Sequence, residues 1–182
     1  MQPSPHIIIK KTSLSSKLIQ TPLGSMLAIA DNQSLYLLAF DDRENLAADI
    51  SRLEKKLGTI ATTGITKPLL LLEKEISQYF AGAFTNFTTP RAAQGTPFQK
   101  QVWQELQKIP YGTIASYTDI ARAIGKPAAH RAVARANGAN QLVLIIPCHR
   151  IISADGSLSG YNGGVARKEC LLAHEKTKRL QK

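Results

Sequence analysis

Ile146-Pro147-Cys148-His149-Arg150 sets a thiol directly before an imidazole and a guanidinium, at the end of the apolar run Leu142-Val143-Leu144-Ile145-Ile146. A neighbouring base and a fixed positive charge both favour thiolate, the form of cysteine that attacks carbon or binds metal. The chain has only one other cysteine, Cys170, 22 residues on, and no Cys-x-x-Cys pair. That spacing excludes a zinc ribbon and leaves only a scattered metal site using His149 or His174. A nucleophile fits the tetrapeptide, and so does a buried structural cysteine. The apolar run reads as a buried strand that delivers Cys148 at its end. Cys170 follows Lys168-Glu169 on an amphipathic stretch with Leu171 and Leu172 and reads as a packing or half-exposed thiol.

The 182 residues suffice for one ordinary domain or two small ones, with no need of a disulfide or metal to fold. Residues 1–90 carry nine Lys/Arg against eight Asp/Glu, whereas residues 91–182 carry fourteen against five. The excess of the +10 net charge therefore sits in the half that holds Cys148. A basic module of this kind suits an anionic polymer such as nucleic acid, although a merely solvated basic face has the same composition. No stretch approaches the length of an apolar membrane span, and the reading is a cytoplasmic protein whose thiol stays reduced.

The elements that must position the cysteine divide at about residue 90. In residues 1–90, Met26 to Ala30 and Leu35 to Phe40 predict a hairpin around Asp31-Asn32-Gln33-Ser34. Asp41 with Glu44 predicts the capped start of a helix with the stripe Leu46, Ile50, Leu53 and Leu57, ending at Gly58. Pro68 opens a second helix through Leu69, Leu72, Ile76 and Phe80. Nothing in this half has catalytic spacing. Phe84 to Gly95 reads as a linker.

In residues 91–182, Thr96-Pro97-Phe98-Gln99 is a capping box with proline at the first helical position, and Trp103 reads as core. Ser116 with Asp119 opens a short helix that stops at Gly125, and Pro127 starts another through Ala136, closed by Asn137-Gly138. Two short helices around Gly125-Lys126-Pro127 suggest a helix-turn-helix. The second is slim, with Ala128, Ala129, Ala132, Ala134 and Ala136, and extends Arg131 and Arg135 from one face. A slim helix with few side chains to read bases suits close approach to the minor groove; an alanine-rich core helix with solvated arginines is the alternative.

Taken together, Thr96-Pro97-Phe98-Gln99, Ser116-Tyr117, His130-Arg131-Ala132-Val133, Asn140, Pro147-Cys148-His149-Arg150, Gly160-Tyr161-Asn162-Gly163-Gly164 and Leu171-Leu172-Ala173-His174-Glu175 closely resemble the O6-alkylguanine-DNA alkyltransferases, the methylated-DNA–protein-cysteine methyltransferases. The likeness covers about residues 95 to 175. It implies an α+β fold: a small N-terminal α+β, ribonuclease H-like domain over residues 1–90, then a mainly helical, winged-helix-like DNA-binding domain over 91–182 that carries the cysteine. It further implies a single-use reaction in which the thiolate takes the alkyl group from guanine O6, and by extension thymine O4, and keeps it.

By the same resemblance Cys148 is nucleophile and methyl acceptor, His149 its base through a water molecule, and Glu175 the group that orients His149. Tyr117 donates a hydrogen bond to the lesion base and touches DNA. Arg131 enters the duplex in place of the extruded nucleotide, with Arg135 and Ala129 also against DNA. Tyr161, Asn162, Gly163 and Ile151 form the base pocket, and Asn140 ties the helix-turn-helix to the active-site turn. No cofactor is implied, and the partner is double-stranded DNA containing O6-alkylguanine, met by a monomer with no obligate protein partner and no membrane. Two departures stand out. Asn162 occupies a position where many members have serine, which puts one contact to O6 in doubt. The zinc ligands some members carry near the N-terminus have no counterpart, since the first half holds no cysteine and a single histidine, His6.

Two other readings use the same residues. A cysteine hydrolase built on Cys148, His149 and Glu175 would need an oxyanion site, for which the sequence has no signal. A DNA-binding regulator would need a second recognition module or a dimerisation helix, and neither is visible.

Overall fold

The computed structural model of the chain describes residues 13–83, 85–158 and 160–180; His6 and Phe84 lie outside them. Four strands form one sheet, β1 (Leu14–Thr21), β2 (Gly24–Ala30), β3 (Leu35–Phe40) and β4 (Ala61–Thr63), in the order β3-β2-β1-β4. The expected hairpin is β2 and β3, paired antiparallel with Met26 opposite Phe40. Its turn is held by the Asp31 carboxylate, which accepts from the N–H groups of Gln33 and Ser34 at 2.7 Å each. β1 pairs antiparallel with β2 and parallel with β4.

Alternation sorts the sheet's side chains onto two buried faces. Ile29, Leu37 and Ala39 pack with Leu46 and Leu53 of α1 (Leu46–Leu57). Ala28, Leu38 and Phe40 join Leu69, Leu72, Ile76 and Tyr79 of α2 (Lys67–Phe80) in a larger cluster that continues through the second half of the chain. The inner stripe of α2 thus takes Tyr79, 1 % exposed, rather than Phe80, which is only partly buried.

The start of α1 departs from its sequence signal. Asn45 precedes it in the left-handed region, φ 62°, and no side chain caps it. The nearby carboxylates are committed elsewhere, Asp42 to Arg167 and Asp49 to Arg43 and Arg52. Its end at Gly58, φ 66°, is as the sequence predicts.

The expected linker is an ordered strap along the outer edge of β3. Leu35 donates to the Pro90 carbonyl at 2.8 Å, and Ala92 donates to the Leu35 carbonyl at 2.9 Å. Glu75, buried on α2, accepts from the backbone N–H and hydroxyl groups of both Thr88 and Thr89 and so pins the strap.

The second half holds α3 (Pro97–Leu106), β5 (Ala115–Ser116), α4 (Tyr117–Ala123), α5 (His130–Gly138), β6 (Ile151–Ile152) and α6 (Val165–Leu180). Both capping boxes form as the sequence predicts, Thr96 with Gln99 and Ser116 with Asp119. Trp103 is core and donates its indole N–H to the Ala136 carbonyl at 2.8 Å. The helix expected from Pro127 begins as a 3-10 turn, Pro127–Ala129, before α5.

Leu142 to Ile146 is not a strand. Only Leu142 makes a bridge, to Leu38: Leu38 donates to the Gln141 carbonyl at 2.8 Å, and Val143 donates to the Leu38 carbonyl at 3.0 Å. The chain then turns on itself, with Ile145 N–H to Val143 O, Ile146 N–H to Leu142 O, and Leu144 at φ 70°. A left-handed leucine costs about 1–2 kcal/mol and persists where packing and hydrogen bonds fix it. Here Asn140 supplies the competing partners: its Oδ1 accepts from Leu142 N–H at 2.9 Å, and its Nδ2 donates to Ile146 O at 2.9 Å. A continuous apolar run marks burial on all sides, which a packed turn satisfies as well as a strand.

Candidate active site

Cys148 opens a second 3-10 turn, Cys148–Arg150, immediately after the turns that Asn140 organises. Its N–H donates to Ile146 O at 2.7 Å, and Asn140 Nδ2 lies 3.1 Å from its Sγ as donor. Asn137, on the inner side of α5, donates to the Cys148 carbonyl at 3.4 Å. The thiol is 1 % exposed. Burial pushes it up to about 11, although the Asn140 hydrogen bond and the positive charge of Lys168 pull the other way. The electropositive tetrapeptide therefore does not produce a resting thiolate, contrary to the sequence reading: loss of solvent outweighs the nearby charges.

His149 and Glu175 are both fully buried, and His149 Nε2 sits 2.8 Å from Glu175 Oε1. The same Oε1 accepts from Tyr79 Oη at 2.8 Å and from Arg150 Nη2 at 2.9 Å. Oε2 accepts from Arg150 Nε and from the Gly112 N–H, each at 2.9 Å. Burial alone would raise this carboxyl, but the hydrogen bonds and charges of His149 and Arg150 outweigh it and hold Glu175 far below the usual carboxylate range. An ionised carboxylate only accepts, so His149 Nε2 is the protonated nitrogen. Nδ1 is then the acceptor, and it has no hydrogen-bond partner among the described residues. Burial holds the imidazole below its ordinary value against the raising effect of Glu175, so the resting ring is neutral at pH 7.

The other sequence-predicted residues surround this core at different depths. Tyr161 is buried, with its ring edge-on to His149 at 6.4 Å. Asn162 donates its amide to the Asn140 carbonyl at 3.2 Å, so the residue that departs from serine is tied to the cysteine turn. Gly163 leaves no room for a side chain: a Cβ there would stand 2.7 Å from atoms of Phe40 and Tyr161. Tyr161, Asn162 and Gly163 border a cavity of about 400 Å3 closed by Asp42, Arg43, Glu44, Asn45 and Arg167; neither Cys148 nor Ile151 lines it. Ile151, expected in the base pocket, is fully buried in the core, paired in β6 with Ala115 of β5. Tyr117, half-buried, opens α4 directly after β5, the strand paired with the one that follows the Cys148 turn. Arg131 and Arg135 are exposed on α5, and Ala129 is half-buried in the turn before it.

The family description "6-O-methylguanine DNA methyltransferase, DNA binding domain" matches residues 97–177. A methylated-DNA–protein-cysteine methyltransferase of Shigella flexneri is 38% identical over 159 residues, 86% of this chain and 92% of that protein. This chain belongs to the methylated-DNA–protein-cysteine methyltransferase family. An inducible methyltransferase of the same name from Bacillus subtilis is 53% identical over 102 residues, 56% of this chain and 57% of that one. Among solved structures, Mycobacterium tuberculosis O6-methylguanine methyltransferase superposes with a TM-score of 0.77 at 34% identity, covering 91% of this chain and 94% of that one. The Mycobacterium tuberculosis protein solved in complex with DNA gives 0.77 at 35% identity, covering 90% and 94%. The mixed α+β architecture is that of the methyltransferases.

Several site residues of this methyltransferase carry no motif signal. Tyr79 reaches Glu175 from the half in which no catalytic spacing is visible; a tyrosine inside an apolar helical stripe is the available clue. Asn137, read as a helix stop, bonds the cysteine carbonyl. Lys168 is fully buried and lowers the Cys148 thiol through its charge, while its own burial holds it below the ordinary lysine value. Arg167 spans the halves: it pairs with Asp42 through two nitrogens at 2.8 and 2.7 Å, donates to Leu23 O and Gly163 O, and lies 4.1 Å from the Phe40 ring centre.

Replacing Glu175 by Gln leaves the buried Arg150 guanidinium without its counter-charge, at a cost of about 3–5 kcal/mol. Because the Glu175 carboxyl is depressed in the folded state, its contribution is present above the unfolded carboxylate value, about 4.3, and is lost as pH falls below it. Denaturant unfolding at pH 7 and at pH 3 should therefore show a smaller gap between Glu175→Gln and the unmodified protein at the lower pH.

Proposed function

We propose that this methyltransferase repairs DNA by transferring the alkyl group of O6-alkylguanine, and of O4-alkylthymine, to Cys148 in a single turnover. The observation that carries the reading is a buried thiol whose neighbour, His149, is held by Glu175 in the tautomer that leaves Nδ1 free to accept a proton. In the reaction, the thiol proton moves through a water molecule to His149 Nδ1, and Glu175 stabilises the resulting imidazolium. Sγ forms a bond to the alkyl carbon as the carbon–O6 bond breaks, and that electron pair passes into the guanine ring. Tyr117 donates a hydrogen bond to the departing base. Overall the thiol proton ends on guanine N1, and the protein retains a thioether that nothing in the site reverses.

Reaching the sulfur requires the target base to leave the helix stack. α5 presents Arg131 and Arg135 to solvent and Asn137 to the Cys148 carbonyl, so one short helix joins the DNA-facing surface to the nucleophile. Arg131 takes the place of the extruded nucleotide and Arg135 contacts phosphate, while Ala129 permits close approach to the minor groove. Tyr161, Asn162 and Gly163 cover the base. With Cys148 only 1 % exposed, this segment must shift to admit it. The basic half supplies sequence-tolerant affinity, and the protein acts as a cytoplasmic monomer without a cofactor.

The direct test is intact mass and peptide mapping after incubation with a duplex containing O6-methylguanine. The expected result is the gain of one CH2 on the Cys148 peptide, lost in Cys148→Ser and retained in Cys170→Ser; methyl on Cys170, or transfer by Cys148→Ser, overturns the assignment. Arg131→Ala should slow transfer from duplex at least about tenfold, because the unstacking cost of a few kcal/mol goes uncompensated, while reaction with the free base O6-benzylguanine stays unchanged. Equal slowing of both removes the insertion role.

A further inference from the structure

The N-terminal half of such proteins has the look of a scaffold, since the nucleophile, its base and the DNA-facing helix all lie beyond residue 95. One contact contradicts that division. Tyr79, near the end of α2, sends its hydroxyl to Glu175 Oε1 at 2.8 Å, on the very oxygen that holds His149 Nε2 at 2.8 Å. From the hydrogen-bonded hub Tyr79 Oη, Glu175 Oε1 and His149 Nε2, we infer that Tyr79 is a positioning residue of the proton relay. It sets how strongly Glu175 holds the His149 ring, and the N-terminal half is thereby part of the catalytic apparatus. The inference rests on the alkyl-transfer reading above and deepens it.

The ring of Tyr79 is fixed on all sides. Phe80 and Tyr111 meet it edge-on at 5.2 and 5.9 Å, and Phe87 and His174 lie at 5.7 and 5.2 Å. His174, one residue before Glu175 on α6, also places its Nε2 2.8 Å from the Tyr79 carbonyl. The hydroxyl therefore arrives at Glu175 without rotational freedom to lose, which is what makes a supporting hydrogen bond effective in holding a catalytic group. It stays protonated and so donates to the carboxylate: burial and the Glu175 charge hold the phenol well above its ordinary value.

The physical consequence concerns the His149 proton. Around the His149–Glu175 pair stand Arg150 from the same 3-10 turn, Tyr79 from α2, the Tyr111 ring and Gly112 N–H from the segment after α3, the Tyr161 ring before α6, and Lys168 and His174 from α6. Tyr79 shares Oε1 with His149 and so drains part of the negative charge that the imidazole feels. Removing the hydroxyl leaves Glu175 less compensated, which strengthens its attraction for an imidazolium and raises the pH at which His149 becomes protonated. The acid limb of the transfer rate, which requires neutral His149, then moves to higher pH.

The experiment measures single-turnover transfer from an O6-methylguanine duplex across pH 5 to 9 for the full chain, Tyr79→Phe and, as a packing control, Phe80→Leu. Tyr79→Phe keeps the ring and its contacts, so it should fold with a melting temperature within a few degrees of the unmodified chain. The expected result is an acid limb displaced upward by about half a pH unit or more, with rates on that limb lower by about threefold or more; Phe80→Leu lowers the melting temperature and leaves the limb in place. An acid limb of Tyr79→Phe coincident with that of the unmodified chain overturns the inference, as does an equal displacement in Phe80→Leu, which would make the effect one of packing. Absence of transfer by the unmodified chain is a different failure, that of the functional reading itself.

Discussion

The buried carboxylate of Glu175 ties the elements around the cysteine turn together. Glu175 accepts five hydrogen bonds, from Tyr79 on α2, Gly112 after α3, and His149 and Arg150 on the cysteine turn, while Arg150 passes a further bond to the Ile109 carbonyl at 2.7 Å. A carboxylate so deep in protein is tolerable only with every lone pair engaged, and the elements that engage it are thereby fixed relative to one another. The cysteine turn has no regular ladder to hold it. Its position depends on this hub on one side and on Asn140 and Asn137 on the other.

The same burial that makes the hub strong keeps the nucleophile quiet. Sγ is a neutral thiol at rest, and the charged pair with His149 forms only when something compensates the loss of solvent. Asn140 and Lys168 are in place for the thiolate, and Glu175 for the imidazolium. A reagent that can be used once gains from such restraint, because a permanently ionised thiol would be spent on adventitious electrophiles. Reactivity is then tied to what the bound base and its DNA bring to the site.

Local signals in the sequence carried far where the physics is local. The Thr96 and Ser116 capping boxes, the Asp31 hairpin and the Gly58 stop all form, because each depends on residues within a few positions. The Cys148, His149 and Glu175 grouping is implied by a resemblance in motif; the fold brings His149 and Glu175 into hydrogen-bond contact in the turn that Cys148 opens. What stayed hidden depends on distant partners. Leu142 to Ile146 reads as a strand because its apolarity reports burial, while its turns are imposed by the side chain of Asn140 and the edge of β3. Asp41 and Glu44 read as a cap, yet Asp42 and Asp49 are drawn to arginines the local pattern does not reveal. The resting state of the thiol is not legible in sequence for the same reason: neighbours in sequence supply charge, but desolvation is set by the whole core.

Ionised Glu175 fixes His149 as a neutral ring protonated on Nε2 and leaves Nδ1 as its acceptor nitrogen. Nitrogen-15 NMR of the imidazole in the unreacted protein, followed as a function of pH, reads both the tautomer and the titration. A protonated Nε2 and an unprotonated Nδ1 are expected at pH 7, with the ring becoming charged only below its ordinary value of about 6.5. A ring protonated on Nδ1, or an imidazolium already present at pH 7, would contradict that assignment.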